Sequence, residues 1–323
     1  MKTIAIIGAG QLGSRHLQGV HKSRHDLDIH VVDASRDSLA TAESRYNQIQ
    51  SVADHRVFFS DTIASLPAEI DLAIIASSSM PRYQILKGLL SRCRVKTLIL
   101  EKFLFPRLSE YQAASELLAR SSTEAFVNCP RRLYPSFSLI AERFDFSRPV
   151  VMRKSGREWG LCCNSIHYID IFMKLTGERE FSVDTTGVFP EIEESKRPGY
   201  MELNGTLRIF TPRGDRLELV SEVFDCPSEL TLDNGRDRVV VDEAGGTTEC
   251  NGDVFETPVL FQSDLSGTVA DMVLEGKNPG LTRYEESRRY HEILFKAIVD
   301  FVRRLPGAPE SVKQDCDPLL PIT

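Results

Sequence analysis

The segment IAIIGAGQLGSRH, residues 4–16, joins an apolar run to a helical pattern through three closely spaced glycines. They have the G-x-G-x-x-G spacing, in which backbone N–H groups and a helix N-terminus receive a pyrophosphate. The spacing is weak evidence by itself, but here it lies between a strand and a helix, as its mechanism requires. The segment predicts a dinucleotide site. The residues expected to form it are Gly8, Gly10, Gln11, Leu12 and Gly13.

An acidic residue completes this pattern. Asp33 ends the next apolar run, DIHVVD, 20 residues after Gly13. A carboxylate at this place accepts hydrogen bonds from the adenosine ribose of NAD and repels the 2′-phosphate of NADP. Arg36 could instead pair with that phosphate. The sequence therefore predicts NAD as the cofactor, with NADP possible, and it adds Ser77, at the end of the run DLAIIAS, to the cofactor-binding residues.

The rest of the first third repeats the strand and helix alternation. Nearly continuous apolar strands that alternate with helices form a doubly wound parallel sheet covered on both faces. We therefore assign residues 1–127 to a Rossmann domain. Its expected strands are 2–8, 28–33, 56–60, 71–77, 97–102 and 124–129, and its expected helices are 11–23, 35–48, 81–92 and 109–120.

Beyond residue 127 the pattern changes to strands that alternate apolar and polar residues between Gly, Pro and Asp. Such strands form antiparallel sheets. We assign residues 128–323 to an α+β domain with helices near 134–146, 159–175 and 282–304 and a mostly antiparallel sheet.

Composition limits the partners. The formal net charge of -7 argues against a nucleic-acid partner, because phosphate binding needs a basic face. No run reaches the ~20 apolar residues that a membrane span needs. The N-terminus lacks the pattern of a signal peptide, and the seven scattered cysteines are typical of reduced thiols. We expect a cytoplasmic protein with a small-molecule ligand.

The segment GLCCNSIHYID, residues 160–170, concentrates reactive side chains. On a helix, Cys163, His167 and Asp170 share one face, beside an apolar stripe. Zinc would need a second Cys/His cluster, and none lies nearby in the sequence, so we expect no metal. A buried structural histidine is one alternative. Acid–base chemistry is favoured, because histidine has the pKa closest to working pH.

The segment TLILEKFLF, residues 97–105, ends a buried strand with Glu101 and Lys102. Ligands bind at the carboxyl ends of strands in open α/β sheets, so Glu101 and Lys102 are expected to contact the cofactor, and the lysine could also donate to a substrate oxygen. An ordinary solvated lysine at a strand end fits the sequence equally well.

Taken in order, four motifs resemble the Gfo/Idh/MocA oxidoreductases, named for glucose-fructose oxidoreductase and inositol dehydrogenase. They are the glycine fingerprint, Glu101-Lys102, NCPRRLYP at 128–135 and IHYID at 166–170. The resemblance covers at least residues 1–300. It implies a Rossmann domain joined to an α/β domain with a large open sheet, NAD or NADP, and hydride transfer on sugars or related polyols. The second domain would then serve substrate binding and oligomerisation, since family sheets of this kind commonly pair face to face and an uncovered sheet face is an apolar patch. This implies a homodimer or a homotetramer.

The resemblance also implies roles for single residues. Glu101 and Lys102 match a Glu-Lys-Pro motif whose lysine touches cofactor and substrate, with Phe103 in place of a proline that is often cis. His167 matches the proton-transfer histidine of an Asp-x-x-x-His motif, and Cys163 stands in the place of its aspartate.

A narrower resemblance links CNSIHYID and ESKRPGYMELNGTL to family members of surface-polysaccharide and nonulosonate sugar pathways. Basic residues that would suit an anionic sugar are Arg131, Arg132, Arg157, Lys196 and Arg197. The best candidates for substrate contact are Arg132 and Tyr134, with Cys163 and Asn164 beside the histidine.

These patterns predict an NAD(P)-dependent oxidoreductase that transfers a hydride to or from a sugar, sugar acid or nucleotide sugar. The predicted catalytic residues are Lys102 and His167. The alternative is a non-catalytic dinucleotide-binding regulator or scaffold, which the cysteine at position 163 favours. Retention of both Lys102 and His167 favours the enzyme.

Overall fold

The computed structural model describes residues 1–314 and 316–323. Two compact units are present. The first comprises Met1–Phe105, Ser109–Pro130 and Leu260–Glu286, and the second comprises Pro106–Leu108, Arg131–Val259 and Ser287–Thr323. This division differs from the expected one, because residues 260–286 return to the first unit instead of staying in a continuous second domain.

The first unit begins with alternating strands and helices. They are β1 (Lys2–Ile7), α1 (Gln11–Val20), β2 (Leu27–Val32), α2 (Arg36–Tyr46), β3 (His55–Ser60), β4 (Glu69–Ile75), α3 (Ser79–Arg92), β5 (Arg94–Leu100), α4 (Leu108–Ser121) and β6 (Glu124–Val127). The strand order is β6-β5-β4-β1-β2-β3, and all these neighbours pair in parallel. The doubly wound sheet is thus confirmed. Its order reverses at β1, and ligands of such sheets bind beyond the carboxyl ends of the strands at this point.

The second unit is built on a larger sheet. Its elements up to residue 256 are α5 (Pro135–Arg143), β7 (Val151–Arg157), α6 (Leu161–Thr176), β8 (Ser182–Val188), β9 (Glu193–Glu194), β10 (Met201–Glu202), β11 (Gly205–Phe210), β12 (Arg216–Glu222), β13 (Glu229–Asp233), β14 (Arg238–Asp242), β15 (Thr247–Cys250) and β16 (Asp253–Glu256). Eight strands form one sheet in the order β16-β15-β14-β13-β7-β12-β11-β8. Only β7 and β12 pair in parallel among these neighbours, so the expected mostly antiparallel sheet is confirmed.

The two faces of this sheet differ in polarity. Residues such as Met152, Leu217 and Leu219 are fully buried on the face where α6 packs. On the opposite face, Arg153 and Arg216 lie 3.4 and 3.2 Å from the carboxylate of Glu218. The open face is therefore mostly polar and not the apolar patch that was expected, because most side chains that alternate away from the helices are polar or charged. Val151 and Val220 are exceptions. Self-association stays a prediction.

The chain then returns to the first unit and ends in the second. Its last elements are α7 (Gln262–Leu274), β17 (Thr282–Arg283), α8 (Tyr284–Val302) and α9 (Glu310–Lys313). β17 pairs with β6, and α7 packs on α1. The helices approach so closely that a Cβ atom on Gly19 would lie 2.6 Å from the Cβ of Ser266. This glycine contact and the added strand explain why residues 260–286 belong to the first unit.

Within the described part of the chain, every helix is too short or too polar to cross a membrane.

Candidate active site

The glycine turn between β1 and α1 has two kinds of glycine. A Cβ atom on Gly13 would lie 1.7 Å from the carbonyl oxygen of Gly8, and one on Gly8, where φ is +99°, would lie 2.8 Å from the Ser77 nitrogen. These two glycines allow close backbone packing. A Cβ on Gly10 would meet no atom within 4 Å. Gly10 therefore borders open space at the start of α1, where a pyrophosphate would fit.

The N-terminus of α1 is available to an anion. Gly10 is its N-cap residue, and no side chain caps this end of the helix. Uncapped N–H groups and the positive end of the helix dipole attract phosphate groups. The side chain of Gln11 is exposed and accepts a hydrogen bond of 2.7 Å from Arg45 of α2, and Leu12 is half-buried. The turn, which we call the cradle, thus has the uncapped N–H groups and the open space that the pyrophosphate of a dinucleotide requires.

Asp33 lies beside this turn. Its carboxylate accepts hydrogen bonds from the backbone N–H groups of Ala9, at 2.7 Å, and of Ser35, at 2.8 Å. It is half-buried at the end of β2, and each of its oxygens can accept a further hydrogen bond. Arg36 is exposed as the first residue of α2. The structure thus brings Asp33 to the glycine turn and leaves the side chain of Arg36 accessible. The contact of Asp33 with the ribose stays a prediction.

Glu101 is held in a buried network. Its side chain is 2% exposed, it lies 2.8 Å from Nε2 of His16 on α1, and it accepts a hydrogen bond of 2.5 Å from Asn128. Burial alone would raise the pKa of the Glu101 carboxyl, but the hydrogen bonds from His16 and Asn128 outweigh it, so the pKa is lowered. The carboxylate therefore joins α1 to β5, and its direct contact with the cofactor stays a prediction.

Lys102 leaves the end of β5 with a half-buried side chain. The Lys102–Phe103 peptide bond is cis. The buried guanidinium of Arg82 donates hydrogen bonds to the carbonyl oxygens of Ser77, Phe103 and Leu104, the last at 2.8 Å. Arg82 thereby ties the turn after β4 to the segment after β5, and so fixes the backbone that follows Lys102.

Sequence reasoning missed His16, Arg82 and Asn128. His16 follows Gly13 by three residues and thus lies on the buried face of α1, which is a signal that helical spacing could have given. Asn128 opens the motif NCPRRLYP. For Arg82 the sequence contains no such signal, because no local pattern distinguishes an arginine that binds three carbonyl groups.

In the second unit, α6 carries the predicted acid–base residue. The apolar stripe of this helix is confirmed, because its members are all at most 2% exposed: Cys162, Ile166, Ile169 and Met173. Cys163 and His167 are half-buried on the neighbouring stripe, whereas Asp170 is fully buried. The helix thus presents two of its three predicted polar residues at the margin of the packed face.

The start of α6 is capped by a side chain from another strand. Glu202 of β10 accepts hydrogen bonds from the backbone N–H groups of Cys162 and Cys163. A carboxylate at a helix N-terminus also interacts favourably with the helix dipole. Asn164 donates a hydrogen bond of 2.7 Å to the carbonyl oxygen of Trp159. The segment around Cys163 is therefore held rigidly. Burial raises the pKa of the Cys162 thiol well above its usual value, so that thiol is inert.

Arg132 is paired with Asp170. Its guanidinium donates two hydrogen bonds to the carboxylate, at 2.7 and 2.9 Å. The side chain of Arg132 is 10% exposed and that of Asp170 is 0% exposed. This bidentate pair neutralises Arg132, so the arginine has a structural role as the partner of the buried Asp170 carboxylate. Substrate contacts by Arg132 and by the half-buried Tyr134 stay predictions.

We expect the Arg132→Met variant to lose about 3–5 kcal/mol in the free energy of unfolding of the second unit, because a fully buried carboxylate loses its bidentate partner. Urea unfolding, followed by the fluorescence of Trp159, measures this loss. Arg153→Met is the control, since that side chain is 47% exposed and should change stability by at most ~1 kcal/mol. Equal unfolding curves for the two variants would contradict the assignment.

Across residues 1–314 and 316–323, no three His, Cys, Asp or Glu side chains are grouped as metal ligands. Of the three polar residues predicted to share a face of α6, Asp170 is engaged by Arg132.

Comparison with known proteins supplies the family. Residues 2–129 match the family model described as "Oxidoreductase family, NAD-binding Rossmann fold". This match confirms the resemblance to the Gfo/Idh/MocA oxidoreductases within the first unit. The predicted cofactor class is confirmed with it, since the family is one of NAD-binding Rossmann proteins. No curated protein matches the chain.

Solved structures share the whole fold at low identity. UDP-N-acetylglucosamine 3-dehydrogenase from Acidithiobacillus ferrooxidans is 14% identical over 91% of this chain and 96% of its own, with a TM-score of 0.68. Biliverdin reductase from Synechocystis, in complex with biliverdin and NADP+, is 16% identical over 92% of this chain and 98% of its own, with a TM-score of 0.68. A putative myo-inositol dehydrogenase from Sinorhizobium meliloti is 13% identical over 94% of this chain and 98% of its own, with a TM-score of 0.67. These likenesses show the fold alone.

Proposed function

We propose that this family member is an NAD(P)-dependent oxidoreductase that transfers a hydride to or from a hydroxyl or keto carbon of a sugar, sugar acid or nucleotide sugar. The observation that carries the proposal is the cradle at Gly10, an uncapped helix N-terminus with open space beside Asp33. Two similar structures are named as dehydrogenases of a sugar nucleotide and of inositol, which supports a carbohydrate substrate.

The residues of the first unit fit a dinucleotide. Backbone N–H groups at the start of α1 would hold the pyrophosphate, and Asp33 would accept hydrogen bonds from the adenosine ribose. The nicotinamide, when bound, supplies the hydride acceptor or donor. Lys102, at the end of β5, is proposed to donate a hydrogen bond to the substrate oxygen, which increases the polarity of the reacting C–O bond.

His167 is proposed to move the proton. In the oxidising direction its imidazole takes the proton of the substrate hydroxyl, while the carbon that bears this hydroxyl gives up a hydride. In the reducing direction the imidazole returns the proton to the oxygen. Lys102 lies in the first unit and His167 in the second. The kinetics of variants of each residue therefore test the two roles separately.

Cys163 favours a second candidate function, that of a dinucleotide-binding regulator or scaffold without turnover. A thiol with an ordinary pKa of about 8.5 is mostly protonated at neutral pH and cannot replace a carboxylate as a charged partner of histidine. A screen of neutral polyols, sugar acids and nucleotide sugars, followed at the absorbance band of reduced nicotinamide, separates the two functions. Turnover with at least one carbohydrate supports the enzyme. Dinucleotide binding without any absorbance change supports the regulator.

Cofactor preference gives a further test. The Asp33→Ser variant should shift the ratio of NAD to NADP affinity by at least about tenfold toward NADP, because it removes the carboxylate that repels the 2′-phosphate. Calorimetric titration with each dinucleotide measures this ratio. Asp37→Ser, an exposed substitution of the same type in the first turn of α2, is the control and should leave the ratio unchanged. A ratio that stays the same in Asp33→Ser would show that Asp33 does not reach the ribose.

A further inference from the structure

The second unit contains a group of polar side chains that the proposed mechanism does not use. We call it the cationic cluster and define it as Arg131, Lys154, Tyr168 and Glu243. Arg131 donates a hydrogen bond of 2.7 Å to the hydroxyl of Tyr168 and lies 3.2 Å from the Glu243 carboxylate. Lys154 lies 3.7 Å from the same carboxylate. Two cations therefore share one carboxylate.

Both cations are largely removed from water. The side chain of Lys154 is 5% exposed and that of Arg131 is 15% exposed, whereas Glu243 is 27% exposed. Burying a charge is costly unless it is paired and hydrogen-bonded. Burial lowers the pKa of Lys154, although the charge of Glu243 opposes this. The cluster thus has an excess of buried positive charge and reaches solvent on the side of Glu243.

The donors of the cluster are not all used. The Nε atom of Arg131 is buried and has no hydrogen-bond acceptor among the residues that the structure describes. Lys154 donates a hydrogen bond of 2.6 Å to the hydroxyl of Ser228, which is a neutral partner. The neighbouring Arg132 differs, since Asp170 neutralises it with two hydrogen bonds. Of the two adjacent arginines, Arg131 is therefore the one that shares its carboxylate with a second cation.

We propose that the cationic cluster binds an anionic group, a carboxylate or a phosphate, of the carbohydrate substrate. This inference rests on the proposed function, which makes the ligand a carbohydrate. Guanidinium and ammonium groups together suit either oxyanion, because the first presents a planar pair of donors and the second a mobile point charge. Tyr168 follows His167 in α6 and connects the cluster to the helix that carries the proposed proton-transfer residue.

A built-in reporter lies beside the cluster. Trp159 is the one tryptophan of the sequence, and its ring centroid lies 5.4 Å from that of Tyr168 in an edge-on arrangement. Its fluorescence should therefore respond when a ligand binds at Arg131 or Lys154. The full-length protein, saturated with NAD, is titrated with three probes: D-glucuronate, D-glucose 1-phosphate and neutral D-glucose. The first two separate a carboxylate site from a phosphate site.

We expect at least one anionic probe to bind about tenfold or more tightly than glucose. Lys154→Met should weaken that binding by ~10–100-fold, which is the usual effect of losing one charge-assisted hydrogen bond. Arg153→Met is the matched control, because it removes the next cation of β7 from the opposite, charged face of the sheet. It should leave the affinity unchanged. Circular dichroism checks that each variant is folded.

Several results would overturn the inference: equal affinity of the wild type for glucose and both anions, no saturable binding of either anion, or undiminished anion binding by folded Lys154→Met. If Lys154→Met does not fold, Arg131→Gln takes its place, and the comparison of wild-type affinities still decides. Turnover of neutral polyols without any preference for anions would remove the anion site and leave the proposed function intact. Anion binding without hydride transfer to or from any carbohydrate would contradict the proposed function and leave the anion site intact.

Discussion

The Gly10→Val variant should lose all detectable NAD binding and still fold. Gly10 has φ -63°, which any residue adopts, and a Cβ atom there would meet no protein atom within 4 Å. The valine side chain would therefore fit the protein but occupy the space of the pyrophosphate at the start of α1. Calorimetric titration of the variant with NAD measures the loss, and circular dichroism measures the fold.

Gly307→Val is the matched control. It places the same side chain at an exposed position where a Cβ atom also meets nothing within 4 Å, in the second unit. NAD should bind this variant as it binds the wild type. Wild-type affinity in folded Gly10→Val would show that the cradle does not hold the pyrophosphate.

The His167→Asn variant should lower kcat by ~10²–10⁴, the usual loss when a positioned general base is removed. Asparagine keeps a polar side chain but cannot take a proton. NAD affinity should be nearly unchanged, because the residues of the cradle lie in the first unit and His167 lies in the second. Steady-state kinetics with the carbohydrate found in the substrate screen, together with calorimetry, separate the two quantities.

His25→Asn is the control for this substitution. His25 is a 32% exposed histidine of the first unit, 3.2 Å from Glu275, and has no part in the proposed chemistry. Its replacement should leave kcat unchanged. If His167→Asn turns over at the wild-type rate, His167 has no role in proton transfer and Lys102 is left as the candidate base.

The parallel sheet of the first unit could be predicted because its signals are local. Apolar runs, the glycine spacing and Asp33 are each legible within a few residues, and the structure brings them together. The return of residues 260–286 could not be predicted. It depends on the close approach of Gly19 to Ser266 and on the pairing of β17 with β6, which join distant parts of the chain.

Strand β7 shows the same limit in the second unit. Its sequence VMRKSGR breaks the apolar alternation with Lys154 and Gly156, so no strand was predicted there. Lys154 is tolerated inside the sheet because Glu243 and Ser228, far away in sequence, supply partners. A buried charge is thus invisible to patterns that read only neighbouring residues.

The residues of the candidate site stay predictions from local motifs, and the contacts that hold them could not be predicted from the sequence. Local motifs marked Gly10, Lys102 and His167, but the His16–Glu101 contact joins residues 85 positions apart. Side chains that only fix others have no spacing rule of their own. The sequence therefore indicated which groups could react, and the structure supplies the contacts that hold them.

The transfer of deuterium is the most direct test of hydride chemistry. A carbohydrate identified in the substrate screen is labelled with deuterium at its reacting carbon and incubated with the wild-type protein and NAD. We predict that the reduced nicotinamide isolated from this mixture carries the deuterium at its C4 carbon, at a rate that His167→Asn lowers. Reduced nicotinamide without deuterium, or no reduction of NAD by any carbohydrate tested, would contradict the assignment of this protein as a carbohydrate oxidoreductase.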